Sequence, residues 1–76
     1  MSGRVRWSPR LMAALEDAVE RRGRVVLTRR GTEYVVQATR LKTFGREDVL
    51  VGRLPVTGDT MEFVLGELDS FVVLDD

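Results

Sequence analysis

The hydrophobic pattern of the chain changes its period at Gly23, and this change determines the fold class. Before Gly23, apolar residues recur three and four positions apart, as on one face of an α-helix; they are Leu11, Met12, Leu15, Ala18 and Val19. After Gly23, short runs rich in β-branched residues alternate with turn residues, which is typical of β-strands. We therefore predict an α+β fold, mainly β, with one N-terminal helix.

The limits of the helix are marked by local signals. The Ser8 side chain can accept a backbone N–H bond as N-cap, and Pro9 suits the first helical position. Gly23 can adopt the left-handed conformation that commonly follows a helix. These signals predict a helix at residues 9–22, with an ion pair between Asp17 and Arg21 on its outer side.

Five β-rich segments follow the helix. Turn residues and prolines bound them at residues 24–28, 33–41, 48–54, 61–67 and 71–75. Five short strands after one helix predict a small antiparallel barrel, closed or half-closed, with a strongly twisted sheet as the alternative. Gly52 and Gly66 fall inside predicted strands, where a barrel would bend sharply.

The chain has 76 residues and no cysteine. This length predicts one domain at residues 8–76, preceded by a flexible basic arm at residues 1–7. The apolar fraction of 43% is ordinary for a folded domain. No apolar run approaches the ~20 residues that span a bilayer, and the N-terminus does not resemble a signal peptide. We therefore expect no membrane partner and a cytoplasmic location.

The residue types of the chain argue against enzymatic chemistry. It has neither histidine nor cysteine, and therefore lacks the commonest general base, metal ligand and reactive nucleophile. Its carboxylates have no calcium-loop spacing, and its glycines form no phosphate-binding loop. We predict no catalytic residues, no bound metal and no cofactor.

The charges are divided unequally along the chain. Residues 1–46 hold eleven basic and four acidic residues, a net charge of +7, whereas residues 47–76 hold one basic and eight acidic residues, a net charge of −7. Such asymmetry is typical of chains that bind nucleic acid or another acidic partner. The alternatives are that the two halves interleave on one surface, or that unlike faces of two copies associate.

Two groups of residues are candidates for nucleic-acid binding. In the arm, arginines that hold phosphates flank an aromatic ring that stacks on a base; this group is Arg4, Arg6, Trp7 and Arg10. The alternative places Trp7 against the first helical turn and the arginines in solvent. The second group could hold a phosphate backbone without sequence preference if its members cluster; it is Arg21, Arg22, Arg24, Arg29 and Arg30.

The other aromatic residues are interpreted as core. Tyr34, Phe44, Phe63 and Phe71 have neighbours that alternate between apolar and polar, as in strands with one buried face. They are therefore not predicted to stack on bases.

The segment from Arg24 to Asp75 resembles a reduced WYL domain, a Sm-like (Src-homology-3-like) small β-barrel. VVLTRRGTEYVV reads as strand, turn and strand; ATRL, a glycine turn and DVLVG follow, and EFVLGELDSFVVLD is similar to the closing phenylalanine strand, turn and final strand. The resemblance implies a barrel of a shape also used for RNA binding and for subunit rings. It does not extend to the family's ligand site, because the signature falls on Asp48, Val49 and Leu50, of which only Leu50 matches.

The sequence favours two functions over others such as small-ligand sensing or an accessory subunit. The first is a small regulatory module that binds nucleic acid through its arginine-rich half. The second is a protein-interaction or self-assembling module, including a homo-oligomer, with no nucleic-acid role.

Overall fold

The computed structural model describes residues 4–74 as one helix followed by five antiparallel strands, which confirms the predicted α+β, mainly β class. The helix α1 spans Pro9–Arg21. The strands are β1 (Arg24–Arg29), β2 (Thr32–Phe44), β3 (Glu47–Arg53), β4 (Thr60–Val64) and β5 (Ser70–Val73), and a 3-10 turn, η1, spans Leu65–Glu67.

Helix α1 begins as predicted and ends differently. The Ser8 Oγ accepts a hydrogen bond from the Leu11 backbone N–H at 3.1 Å, and Pro9 is the first helical residue. At the other end, Arg22 adopts the left-handed conformation at φ 54°, so the predicted left-handed cap at Gly23 is wrong. The Gly23 N–H closes the helix by donating to the Ala18 carbonyl at 2.8 Å, which fixes the turn one residue earlier.

The strands form one sheet in the order β4-β3-β2-β1-β5. Strand β2 is longer than predicted because the connection between the strands predicted at residues 33–41 and 48–54 is only a two-residue turn at Gly45 and Arg46. The first half of β2 pairs with β1 and the second half with β3, and the register shifts between Ala38 and Arg40. This irregularity bends β2 between its two neighbours.

The predicted strand at residues 61–67 ends early. Strand β4 stops at Val64, and the chain then turns through η1, where the Leu68 N–H donates to the Leu65 carbonyl at 3.2 Å. A 3-10 turn places residues three apart on the same side, so Leu65 and Leu68 are both buried. Gly66 therefore lies in this turn and not at a strand bend, and Asp75, predicted to end the last strand, lies outside the described residues.

The sheet does not close into a barrel, and the predicted alternative, a twisted sheet, describes the fold. Strands β4 and β5 are the two ends of the sheet, and β5 pairs only with β1. Helix α1 packs against β2 and β5 and covers the core from one side. The core consists of Leu15, Ala18, Val25, Leu27, Val36, Ala38, Leu50, Phe63, Leu65 and Leu68.

Three of the four aromatic residues predicted as core contribute to it. Phe63 is fully buried, Tyr34 is half-buried against its ring, and Phe71 is half-buried against the core. Phe44 is 74% exposed, so its predicted core position is wrong. It is the last residue of β2, beside the turn into β3, where the sheet has no neighbouring layer to cover its ring.

Candidate nucleic-acid interface

Trp7 belongs to the fold of the domain. Its indole N–H donates to the Leu65 carbonyl at 2.9 Å, and its ring lies 5.3 Å from the Phe71 ring. The Val5 N–H donates to the Leu68 carbonyl at 2.9 Å, so this part of the arm runs along η1. Residues 1–3 of the predicted arm lie outside the described residues. The Trp7 ring is thus half-buried and packed against the domain.

The arginines of the arm point away from the core. Arg4 and Arg6 are exposed on either side of the half-buried Val5, and Arg10 is exposed in the first turn of α1. This alternation is that of an extended segment with one face on the domain. Arg4, Arg6 and Arg10 therefore remain accessible, but without the aromatic ring that was predicted to act with them.

The second predicted group of arginines is divided by the fold. Arg24 and Arg29 lie at opposite ends of β1, which separates them by about 17 Å of extended chain. Arg21 pairs with Asp17 at 2.8 Å, as predicted, and Arg30 is exposed in the turn between β1 and β2. The five residues therefore do not form one patch.

Arg29 packs on the core. Its guanidinium carbon lies 5.0 Å from the centre of the Phe63 ring and 5.4 Å from that of Tyr34. Its Nη1 also donates, at 3.4 Å, to the Glu62 carbonyl on β4. A guanidinium over two aromatic faces is attracted by both and shields them from water. Arg29 thus connects the β1–β2 hairpin to β4, although β1 and β4 are not neighbours in the sheet.

We expect Arg29→Ala to lower the free energy of unfolding by about 1–2 kcal/mol, because it removes a cation–π contact and uncovers Phe63. The measurement is urea unfolding followed by far-ultraviolet circular dichroism. Arg30→Asn is the matched control, since asparagine tolerates the positive φ of 52° at that exposed position and the change should stay within about 0.5 kcal/mol. Equal effects of the two substitutions would contradict a packing role for Arg29.

A third arginine, Arg53, stands in the same row of the sheet as Arg24, and sequence reasoning missed it. Arg24 on β1 pairs in register with Gln37 on β2, and Gln37 pairs with Arg53 on β3. Side chains of register partners stand on the same face of a sheet. The Gln37 amide also donates to the Arg22 carbonyl at 3.2 Å, which brings the end of α1 to this row. We call Arg22, Arg24 and Arg53 the arginine surface.

Arg22 and Arg24 line a depression of about 370 Å³ together with Gln37 and Pro55. The Arg53 guanidinium is not part of this lining and lies near Gly58 in the loop after β3. No carboxylate of residues 4–74 lines the depression. Among residues 4–74 the ion pairs are Arg21–Asp17 and Lys42–Glu62, so the three arginines pair with no carboxylate of the described chain. Three neighbouring positive charges repel one another, and a bound anion would remove this repulsion.

Residues 4–74 contain no group of three or more acidic side chains placed to hold a metal ion. None of their helices is long and apolar enough to cross a membrane. In comparisons with known proteins, no protein-family model, no curated protein and no solved structure matches this chain.

Proposed function

We propose that the protein is a small, non-enzymatic, cytoplasmic binding module that holds a nucleic-acid backbone on the arginine surface. The observation that carries this proposal is that Arg22 and Arg24 line one depression, while Arg53 stands in the same row of the sheet as Arg24 and Gln37. No carboxylate of residues 4–74 lines the depression. A planar guanidinium offers paired donors that match two phosphate oxygens. Three guanidinium groups, held on the sheet and at the end of α1, can contact successive phosphates of the backbone.

The proposed contact reads the backbone and not the bases. Specific recognition of unpaired bases relies on exposed aromatic rings for stacking. Trp7, Tyr34 and Phe71 are half-buried, and Phe63 is fully buried. The exposed Phe44 lies at the opposite end of the β2–β3 pairing from Gln37 and Arg53. The arginine surface contributes guanidinium groups, the Gln37 amide and Pro55, with no aromatic ring among them. Binding should therefore depend little on base sequence and should not require single strands.

The size of the surface sets the expected salt dependence. Neutralising three phosphates of a DNA duplex releases counterions in proportion, which gives a slope of about −2.7 in log K against log salt concentration. Affinity should then fall about 40-fold between 50 and 200 mM salt. A slope of this size would match the three arginines of the surface.

The experiment measures the fluorescence anisotropy of a labelled 24-base-pair DNA duplex, titrated with protein at 50–200 mM salt. We expect Arg22→Asn, Arg24→Gln and Arg53→Gln together to weaken binding at least tenfold at 50 mM salt and to flatten the salt slope. Asparagine is used at position 22 because it tolerates the left-handed backbone there. Thermal unfolding of each variant confirms that it is folded.

The control removes the same number of charges elsewhere. Arg4→Gln, Arg6→Gln and Arg10→Gln together should leave both the affinity and the slope nearly unchanged, because these residues lie at the opposite end of α1. If this control loses binding and the arginine-surface variant does not, the arm makes the contact. If the unaltered protein does not bind the duplex or a single-stranded RNA of equal length at 50 mM salt, the proposed function is wrong.

A further inference from the structure

A groove with an apolar floor lies where the β2–β3 turn meets the start of η1. It consists of two adjoining depressions of about 290 and 380 Å³ that share Glu47 and Val64. The first is bordered by Trp7, Met12 and Leu65, and the second by Phe44 and Val49. We call this the acidic groove, because Glu47, Asp48 and Glu67 lie along its margin.

The floor of the acidic groove exposes apolar surface that the fold does not use. The Phe44 side chain is 74% exposed, whereas most aromatic rings of the chain pack on its core. Val64 is half-buried between the two depressions. An exposed ring beside an apolar floor, with charged residues around it, is typical of a protein-interaction surface.

Carboxylates outnumber cations among the described residues that line the groove. Lys42 Nζ pairs with Glu62 at 2.7 Å, and the Arg29 guanidinium lies over the Phe63 and Tyr34 rings. Within residues 4–74, Glu47, Asp48 and Glu67 form no ion pair. Arg29 and Arg46 are the other described cations that line the groove, so three carboxylates without an ion pair face two guanidinium groups and the lining has a net charge of −1. This excess of carboxylates favours basic groups over a phosphate backbone.

We infer that the acidic groove docks an extended, basic segment of a partner protein. Apolar side chains of the segment would cover the floor beside Phe44 and Val64, and its lysines or arginines would meet the three carboxylates. The inference does not depend on the arginine surface, which presents the opposite charge through other residues, at the other ends of β1 and β3. The protein would thereby connect a nucleic-acid backbone to a basic protein segment.

A second copy of the chain fits the groove less well. The basic segment around Arg4 and Arg6 has Val5 and Trp7 as its apolar side chains, and both already pack on their own domain. Among the residues that line the depression at the arginine surface, only Pro55 is apolar. Neither basic region of a second copy therefore offers the apolar side chains that the floor requires, and a different protein is the favoured occupant.

The test selects binders to the purified protein from a phage library of random dodecapeptides. We expect the enriched peptides to carry a net charge of +2 or more together with at least one large apolar side chain. Synthetic copies of them should bind at least tenfold more weakly to a variant with Phe44→Ser, Glu47→Gln and Glu67→Gln. They should bind undiminished to the arginine-surface variant, which separates this inference from the proposed function.

A matched variant controls for the general loss of charge and apolar surface. Val56→Ser, Glu16→Gln and Glu20→Gln remove one exposed apolar residue and two exposed carboxylates away from the groove, and should leave peptide binding unchanged. Enrichment of neutral or acidic peptides, or equal loss in both variants, would overturn the inference. Light scattering that shows a dimer dissociated by the groove substitutions would also overturn it, since a second copy would then be the occupant.

Discussion

Replacing Trp7 by alanine should lower the free energy of unfolding by about 3 kcal/mol, as for large aromatic residues that pack on a core. The substitution removes the indole hydrogen bond to the Leu65 carbonyl and the contact with the Phe71 ring. A domain of this size has about 4–11 kcal/mol of stability in total, so the variant should unfold at a much lower urea concentration. Far-ultraviolet circular dichroism follows the transition without requiring tryptophan.

Two further substitutions define what Trp7 contributes. Trp7→Phe keeps a ring against Phe71 but loses the indole donor, and should cost about 1 kcal/mol. Arg6→Ala, at the exposed neighbouring position, should change stability by less than about 0.5 kcal/mol. If Trp7→Ala leaves stability unchanged while it weakens RNA binding, Trp7 is a base-stacking residue, as the first interpretation of the arm predicts.

The helix could be predicted because its signals are local. Ser8, Pro9 and the three- and four-residue spacing of apolar side chains act within one or two turns, and the structure places α1 within one residue of the predicted limits. The left-handed residue depends on which N–H closes the last turn. Arg22 adopts the left-handed conformation instead of Gly23, and the sequence pattern does not distinguish between these two positions.

The 3-10 turn could not be predicted because its cause lies far away in the sequence. Met61, Phe63 and Leu65 continue the alternation of a strand, so residues 61–67 are indistinguishable from β4 by pattern alone. The chain must leave β4 and reach β1 at the other side of the sheet, and it does so while burying both Leu65 and Leu68. This requirement comes from the strand order, which no local pattern contains.

The arginine surface shows the same limit for a binding site. Arg29 and Arg30 are near Arg24 in sequence but lie at the far end of β1, whereas Arg53 is distant in sequence and shares a row with Arg24. Only the pairing register relates them. The turn residues indicate which strands are neighbours in the sheet. They do not give the length of β2, and Arg53 can be placed in the row of Arg24 only when that length is known.

The division of charge along the chain does not correspond to the two surfaces. The arginine surface takes Arg53 from the acidic half, and the acidic groove takes Trp7 and Phe44 from the basic half. Folding therefore does not leave the basic and acidic halves of the chain as two separate surfaces. It concentrates unlike charges at different places on one sheet, and a module that contacts two unlike partners needs that separation.

Gly52→Ala should lower the free energy of unfolding by about 2–3 kcal/mol, in the upper part of the range for overpacked cores. A Cβ atom at position 52 would lie 2.7 Å from Cγ2 of Val36 and 3.0 Å from its Cβ, both in the packed interior. Gly52 pairs with Ala38, where β2 shifts its register, so the two strands approach closely at this bend. Urea unfolding measures the loss.

A second glycine separates this clash from the general effect of adding a methyl group. Gly66→Ala meets no atom within 4 Å, and its φ is not positive, so stability should stay unchanged or rise by a few tenths of a kcal/mol. Val36→Ala should partly rescue Gly52→Ala, because it removes the nearer contact, and the double variant should lose less stability than the sum of the single losses. Additive losses, or equal effects at positions 52 and 66, would show that β2 and β3 do not meet closely at Gly52. The close approach that explains the bend in β2 would then be absent. The alignment of Gln37 and Arg53 in one row, on which the arginine surface depends, would no longer be explained.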